Sequence, residues 1–189
     1  MSIGLKRETV YLEDHQSTWE ETAADTIRLL KSILGEDAAD IRHVGSTSIR
    51  SIRAKPIIDI AVAVNDFWDV LRKKKPLEAA GIFLRLDERP VQLLYVMGDL
   101  ENDFRTHHIH VVPHNSAEWR NYINFRDYLN ANLSAAKEYE KIKLALAEKY
   151  PLDRRAYTDG KCAVISKLLS EAEAWRKRSE TILTDEALR

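Results

Sequence analysis

Residues 41–64 read IRHVGSTSIRSIRAKPIIDIAVAV. The last eight, 57–64, are a β-branched apolar run broken by one carboxylate, Asp59. β-Branched residues favour the pleated strand. A run without polar alternation predicts a central strand, covered on both faces. A carboxylate in such a strand is costly to bury unless it is paired or holds a cation. Two readings follow from these residues. Lys55, Arg53 or His43 forms a salt bridge with Asp59, or Asp59 is a metal ligand of the kind that holds Mg²⁺ shared with substrate phosphates.

The preceding loop, 45–56, is closed by Pro56. Gly45 admits backbone angles that other residues resist and allows close approach of a ligand. Ser46, Thr47 and Ser48 offer hydroxyls, and successive backbone N–H groups in such a turn can form an anion nest. Arg50, Arg53 and Lys55 add positive charge. The loop therefore suits a phosphate, or it is a polar turn with solvated basic residues. It is not a P-loop, since the pattern GxxxxGK[ST] is missing.

Outward from this segment, spacing predicts a helix over 17–34, with Trp19, Ala23, Ile27, Leu30 and Leu34 on one stripe, Ser17 or Thr18 as cap and Gly35 as stop. Residues 41–44 read as a short strand. A helix over 66–75 is interrupted at Pro76 and continues through 77–80. Strands follow over 82–86 and 91–97, joined across DERP, then a turn over 98–103 and a strand over 104–112 ended by Pro113. Helices are predicted over 117–132, 135–149 and 154–178, with a frayed tail over 179–189. Short strands with tight turns, followed by helices alone, predict an α+β fold with a mixed or antiparallel sheet.

The totals are those of a soluble globular chain. Its 189 residues suit one domain, 44% are hydrophobic and 31% charged. A net charge of −1 gives no bulk electrostatic case for nucleic acid or an anionic membrane as partner. No apolar run reaches the ~18 residues of a membrane helix, and the opening MSIGLKRETVYLED lacks a signal-peptide core, which predicts a cytoplasmic location. The single cysteine, Cys162, excludes an internal disulfide and reads as buried filler.

A second chemistry-bearing stretch is RTHHIHVV, 105–112. On a strand, His108 and His110 share one face while His107 and Ile109 take the other. Two imidazoles with Asp59 would suit Zn²⁺, Mn²⁺ or Fe²⁺, whereas Mg²⁺ prefers oxygen. The pair could instead donate to phosphate, act as acid and base, or divide into one core and one exposed histidine. Arg105 could clamp a phosphate bidentately or pair with a surface acid. Tyr157 and Lys161, four apart, share a helix face. The aromatic residues Trp119, Tyr122, Phe125 and Tyr128 recur at three-residue spacing, as a core stripe does.

Four ordered segments carry a family resemblance. They are HVGSTS…AKPIIDIAV, RTHHIHVV, EWRNYINFRDYL (118–129) and YTDGKCAVI (157–165). Over residues 10–169 the chain resembles the GrpB family, a branch of the DNA polymerase β-like nucleotidyltransferase superfamily. The resemblance implies a mixed sheet flanked by helices, with a helical C-terminal part. It also implies a chemistry in which a hG[GS] loop grips a nucleoside triphosphate and strand acids hold divalent metal, Mg²⁺ or Mn²⁺ with Zn²⁺ as a further option, while a nucleotidyl group passes to an acceptor.

Carried over residue by residue, Gly45 and Ser46 match the loop and Asp59 the first acid. Thr47, Ser48, Lys55, Arg105 and Lys161 are candidate phosphate contacts. Asp59, His108 and His110 are candidate metal ligands, with Asp59 and His110 as catalytic candidates. The pattern departs at residue 61, where the superfamily's second acid is replaced by Ala61, and at SIRSIR (48–53), where the family has a Pro-Gly turn. The missing acid keeps a rival reading open, a degenerate module that binds a nucleotide or phosphorylated metabolite without catalysis. A metal–histidine hydrolase on the same scaffold is a third.

Overall fold

The computed structural model describes residues 3–85 and 91–187, excepting the side chains of 180 and 182–187. In chain order the elements are β1 (Leu5–Lys6), α1 (Ser17–Leu34), β2 (Ala38–Val44), β3 (Ile58–Val64), α2 (Phe67–Leu71), α3 (Lys74–Ala79), β4 (Phe83–Arg85), β5 (Leu93–Met97), β6 (Phe104–Arg105), β7 (His107–Pro113), α4 (Ala117–Ala131), α5 (Leu133–Lys149), α6 (Arg154–Gly160) and α7 (Cys162–Ala187). Five strands form one sheet in the order β2-β3-β7-β5-β4, and β1 pairs with β6 in a separate ribbon. β3 and β7 run parallel, and the other neighbours in the sheet are antiparallel. The fold is thus α+β with a mixed sheet flanked by helices. β3 lies inside the sheet with a neighbour on each side, as its apolar run without polar alternation predicts.

The helices bury the two sheet faces differently. On one face Trp19, Ala23, Leu30 and Leu34 of α1 pack on Ile58, Ile60, Val62 and Val64 of β3 and on Ile109 and Val111 of β7. Fully burying each such aliphatic side chain stabilises by about 1.5–3 kcal/mol. On the other face Ala61, Ala63, Val44 and Val112 lie under Trp119 of α4. A third cluster joins α4, α5 and α7 through Leu129, Ala136, Tyr139 and Leu168, and takes in Ile49 and Ile52 from the loop after β2. The SIRSIR departure is explained by that contact. Its isoleucines are buried in the helical cluster, while Arg50 pairs with Glu20 and Arg53 with Asp14.

Several boundaries differ from the sequence reading. The break between α2 and α3 falls at Arg72–Lys73, ahead of Pro76. A proline is tolerated in a helix's first turn, where N–H groups lack partners, but its ring clashes with the carbonyl four residues back. The helix expected over 154–178 is two helices parted at Gly160–Lys161, and the second runs to Ala187 rather than ending at 178. A Cβ at Gly160 would lie 2.5 Å from Leu146 Cδ2, so the parting brings α6 close against α5. The strand expected over 104–112 is split at Thr106, and its first two residues pair with β1. Leu86, the DERP connection and residues 188–189 lie outside the described residues. Cys162 is exposed at the start of α7, not buried. Among the described residues no helix is long and apolar enough to cross a membrane.

Candidate functional site

The parallel register of β3 and β7 sets Asp59 beside His108 and Ala61 beside His110. Strand alternation points Asp59, His108 and His110 to the same face. Asp59 Oδ1 lies 3.2 Å from His108 Nδ1 and 3.3 Å from His110 Nε2. One ligand atom from each of the three residues falls within 4.8 Å of the others, the one such His/Cys/Asp/Glu group of three among the described residues. Burial pushes the Asp59 carboxyl up, but hydrogen bonds from His108 and His110 and their electrostatic attraction outweigh it and hold it well below the ordinary range. His43, Arg53 and Lys55 do not make the salt bridge considered for Asp59. His43 bonds Thr47, Arg53 bonds Asp14, and Lys55 sits over the Tyr157 ring.

His108 is held from behind by Arg154, whose Nη2 donates to His108 Nε2 at 3.2 Å. A guanidinium only donates, so Nε2 carries the lone pair and the Nδ1–H points at Asp59. His110 packs against the ring of Tyr122 at 5.1 Å between centroids, and its buried Nδ1 has no hydrogen-bond partner among the described residues. His107, one residue away, faces α1 and bonds Thr26 Oγ1 at 3.1 Å; burial lowers its pKa to about 4, leaving it neutral.

Gly45 touches the carboxylate. Its φ is +69°, and a Cβ there would meet Asp59 Oδ2 at 2.4 Å. Both backbone and space therefore call for glycine. Ser46–Ser48 form a 3-10 turn. Gly45 and Ser46 line a cavity of about 620 Å³ that opens on Asp59, His108 and His110. Thr47 and Ser48 do not line it. The Thr47 hydroxyl bonds His43 at 2.9 Å, and that of Ser48 donates to the Gly45 carbonyl at 2.7 Å. Arg105 is also outside the lining and pairs with Asp103 at 3.0 Å on β6. Three residues before His108 is the wrong parity for the same strand face.

The cavity is basic. Lys55, Lys143, Lys161 and Arg154 line it, joined by Arg7, Arg85 and Arg155, against the carboxylates Glu8, Asp59 and Asp159. Lys55 and Lys161 lie 5.1 and 4.5 Å from the centroid of the Tyr157 ring, and Lys143 lies 4.8 Å from that of Tyr139. Burial, with repulsion from Arg154 and Lys161, lowers the Lys55 pKa to about 7. Burial and Lys161 lower Lys143 to about 7. Burial and Arg154, opposed by Asp59, lower Lys161 to about 8. Cations crowded into a shared cavity favour a multiply charged anion.

A second lobe of about 360 Å³ shares Gly45, Ser46, Asp59, Tyr122, Lys161 and Ile165 with the first. It adds Gln92, Glu118, Asn121, Phe125 and Tyr139. Within it the Tyr122 hydroxyl donates to Gln92 Oε1 at 3.2 Å. The aromatic stripe of α4 is therefore divided: Trp119 and Tyr128 are buried, while Tyr122 and Phe125 line the lobe.

Sequence reasoning did not single out Lys143, Arg154, Arg7 or Arg85. Lys143 did leave a signal. It stands four residues after Tyr139 on the buried stripe of α5, where a lysine is rare unless paired, and its Nζ donates to the Arg53 carbonyl. Arg154 opens a short helix, and nothing local marks it out.

Asp59, His108 and His110 fit a divalent cation, as one ionised carboxylate with two imidazoles on a shared face. Among known proteins, the GrpB protein family model matches residues 9–171. The glutamate-rich protein GrpB of Alkalihalophilus pseudofirmus is 40% identical over 174 residues, covering 89% of this chain and 99% of that one. A UPF0157 protein of Streptomyces coelicolor is 37% identical over 88% of this chain and 86% of its own. The crystal structure of the conserved protein GrpB from Enterococcus faecalis overlays with a TM-score of 0.79 at 30% identity, covering 87% of this chain and 99% of that one. By family model, sequence and fold alike, this chain belongs to the GrpB family.

Proposed function

We propose that the protein is a metal-dependent, nucleotidyltransferase-like enzyme that binds a nucleoside triphosphate and passes a nucleotidyl group to an acceptor. The observation that carries this reading is the meeting of three features in one cavity: Gly45 and Ser46 of the loop, the Asp59–His108–His110 group, and the basic wall. Lys55, Lys143, Lys161 and Arg154 would hold the phosphates. Asp59, His108 and His110 would hold the metal, and two imidazoles favour Mn²⁺ or Zn²⁺ over Mg²⁺. The metal would supply charge stabilisation at the reacting phosphate. A phosphate oxygen that draws Arg154 away would free His108 Nε2 to take the ring proton, leaving Nδ1 to face the cation.

Calorimetric titration with ATP, GTP, CTP and UTP, with and without Mn²⁺ or Mg²⁺, tests this on wild type and Asp59→Ala. Metal-dependent binding lost in the variant is expected. Binding indifferent to both metal and Asp59 would overturn the catalytic reading. It would favour a nucleotide-binding module without catalysis, the reading that Ala61, buried under Trp119 where a second acid would stand, supports.

A further inference from the structure

Two lobes of opposite character meet at Asp59. The basic lobe gathers seven cationic side chains, whereas the residues that only the second lobe contributes include one carboxylate, Glu118, and no cation. The junction is built from Gly45, Ser46, Asp59 and Lys161. Resting on the reading just given, that polyphosphate occupies the basic lobe, we infer that the second lobe is the nucleobase subsite. A ligand would thread the junction, its outer phosphates among the lysines and its base laid against the Tyr122–Phe125 wall of α4.

Three observations carry this. Glu118, Asn121, Tyr122 and Phe125 recur at helical spacing, so one stripe of α4 forms the wall. Tyr122 and Phe125 of that stripe supply aromatic surface, backed by Tyr139, whose ring is edge to face with Phe125 at 5.4 Å and covered by Lys143. Base stacking on aromatic side chains accepts any base, because every base has a π-face. The Asn121 carboxamide carries donor and acceptor atoms, and the Glu118 carboxylate accepts, which is the complement a base edge requires. A volume of about 360 Å³ lies within the usual range for small-ligand pockets.

The position of Asn121 permits a clean test. It is exposed and lines the second lobe but not the basic one, and on its other side it borders a separate cavity with Arg120 and Arg176, so Asn121→Trp narrows the lobe while leaving the core and the phosphate wall in place. Inorganic triphosphate and ATP are titrated with Mn²⁺ into wild type and variant, with thermal melting as the folding control. The expected result is ATP binding at least about tenfold tighter than triphosphate in wild type, one good stacking contact. In Asn121→Trp that gap closes while triphosphate affinity is unchanged. Equal affinities in wild type, or a gap that survives in the variant, would overturn the subsite and leave the phosphate reading standing. No binding of either probe would overturn both.

Discussion

β3 and β7 present two surfaces from the same two strands. On one, Ile58, Ile60, Val62, Ile109 and Val111 pack against α1. On the other, Asp59, His108 and His110 meet at a cavity. The neighbouring histidines show what separates the faces. His107 is neutral and tied to Thr26 of α1, whereas His108 is set between Asp59 and Arg154. Strand parity decides which face a residue joins, and the helix brought against that face decides its chemistry. α1 brings aliphatic carbon, while α4 and α6 bring a phenol and a guanidinium.

Exchanging the character of the faces is the harshest way to break this comparison. Ile60→Asp puts an unpaired carboxylate into the dry face, and a loss of about 3–5 kcal/mol is expected in urea unfolding, the cost of an uncompensated buried charge. Ile60→Ala leaves only a void, at about 2–5 kcal/mol. Asp59→Ala, one residue away, should cost about 1–2 kcal/mol, the loss of its hydrogen bonds to the two imidazoles, while abolishing metal-dependent nucleotide binding. Gly45→Ala falls between these. Its φ of +69° and the 2.4 Å approach to Asp59 predict a loss of about 1–3 kcal/mol together with loss of metal binding, read by calorimetry and melting.

A pH series sharpens the contrast further. Lys55 and Lys143 titrate near pH 7 and Lys161 near 8 in the free protein, so their cationic forms fade as pH rises through that range. Triphosphate affinity should therefore fall by about tenfold or more between pH 6 and 9, one pKa unit being about 1.4 kcal/mol, with net proton uptake on binding near pH 8. The free fold moves the opposite way. The unfolded chain binds more protons at these lysines between pH 7 and their ordinary pKa, so their share of stability rises with pH there. The smallest effect belongs to Cys162→Ser. At an exposed site at the start of α7 it should change stability by less than about 0.5 kcal/mol in thermal melting.

What could be read in the sequence was what alternation and local spacing carry. The β-branched run over 57–64 marked β3 and its centrality. The spacing of His108 and His110 placed them on one face, and the GSTS segment marked the turn that meets Asp59. What could not be read was what long-range packing brings. Lys143 and Arg154 reach the cavity from α5 and α6 through helix docking, and no local pattern records that. Thr47 and Ser48 looked like ligand hydroxyls but hold the turn together instead. Arg105 was drawn toward the site by its nearness in sequence to His108, although the break at Thr106 and its parity place it with β1 and Asp103. Ile49 and Ile52 looked like loop residues, and they anchor that loop into the helical cluster.

The most direct test of the two-faced sheet is electron paramagnetic resonance titration of Mn²⁺, with ATP present, into wild type, His107→Gln and His108→Gln. Glutamine keeps a hydrogen-bonding group at each position and removes the imidazole. The predicted result is a loss of Mn²⁺ affinity of about 100-fold or more in His108→Gln, at or above the upper end of what a metal ligand's supporting partner contributes, and no change in His107→Gln. Equal losses in the two variants, or a loss in neither, would contradict the assignment of the Asp59 face as the metal site.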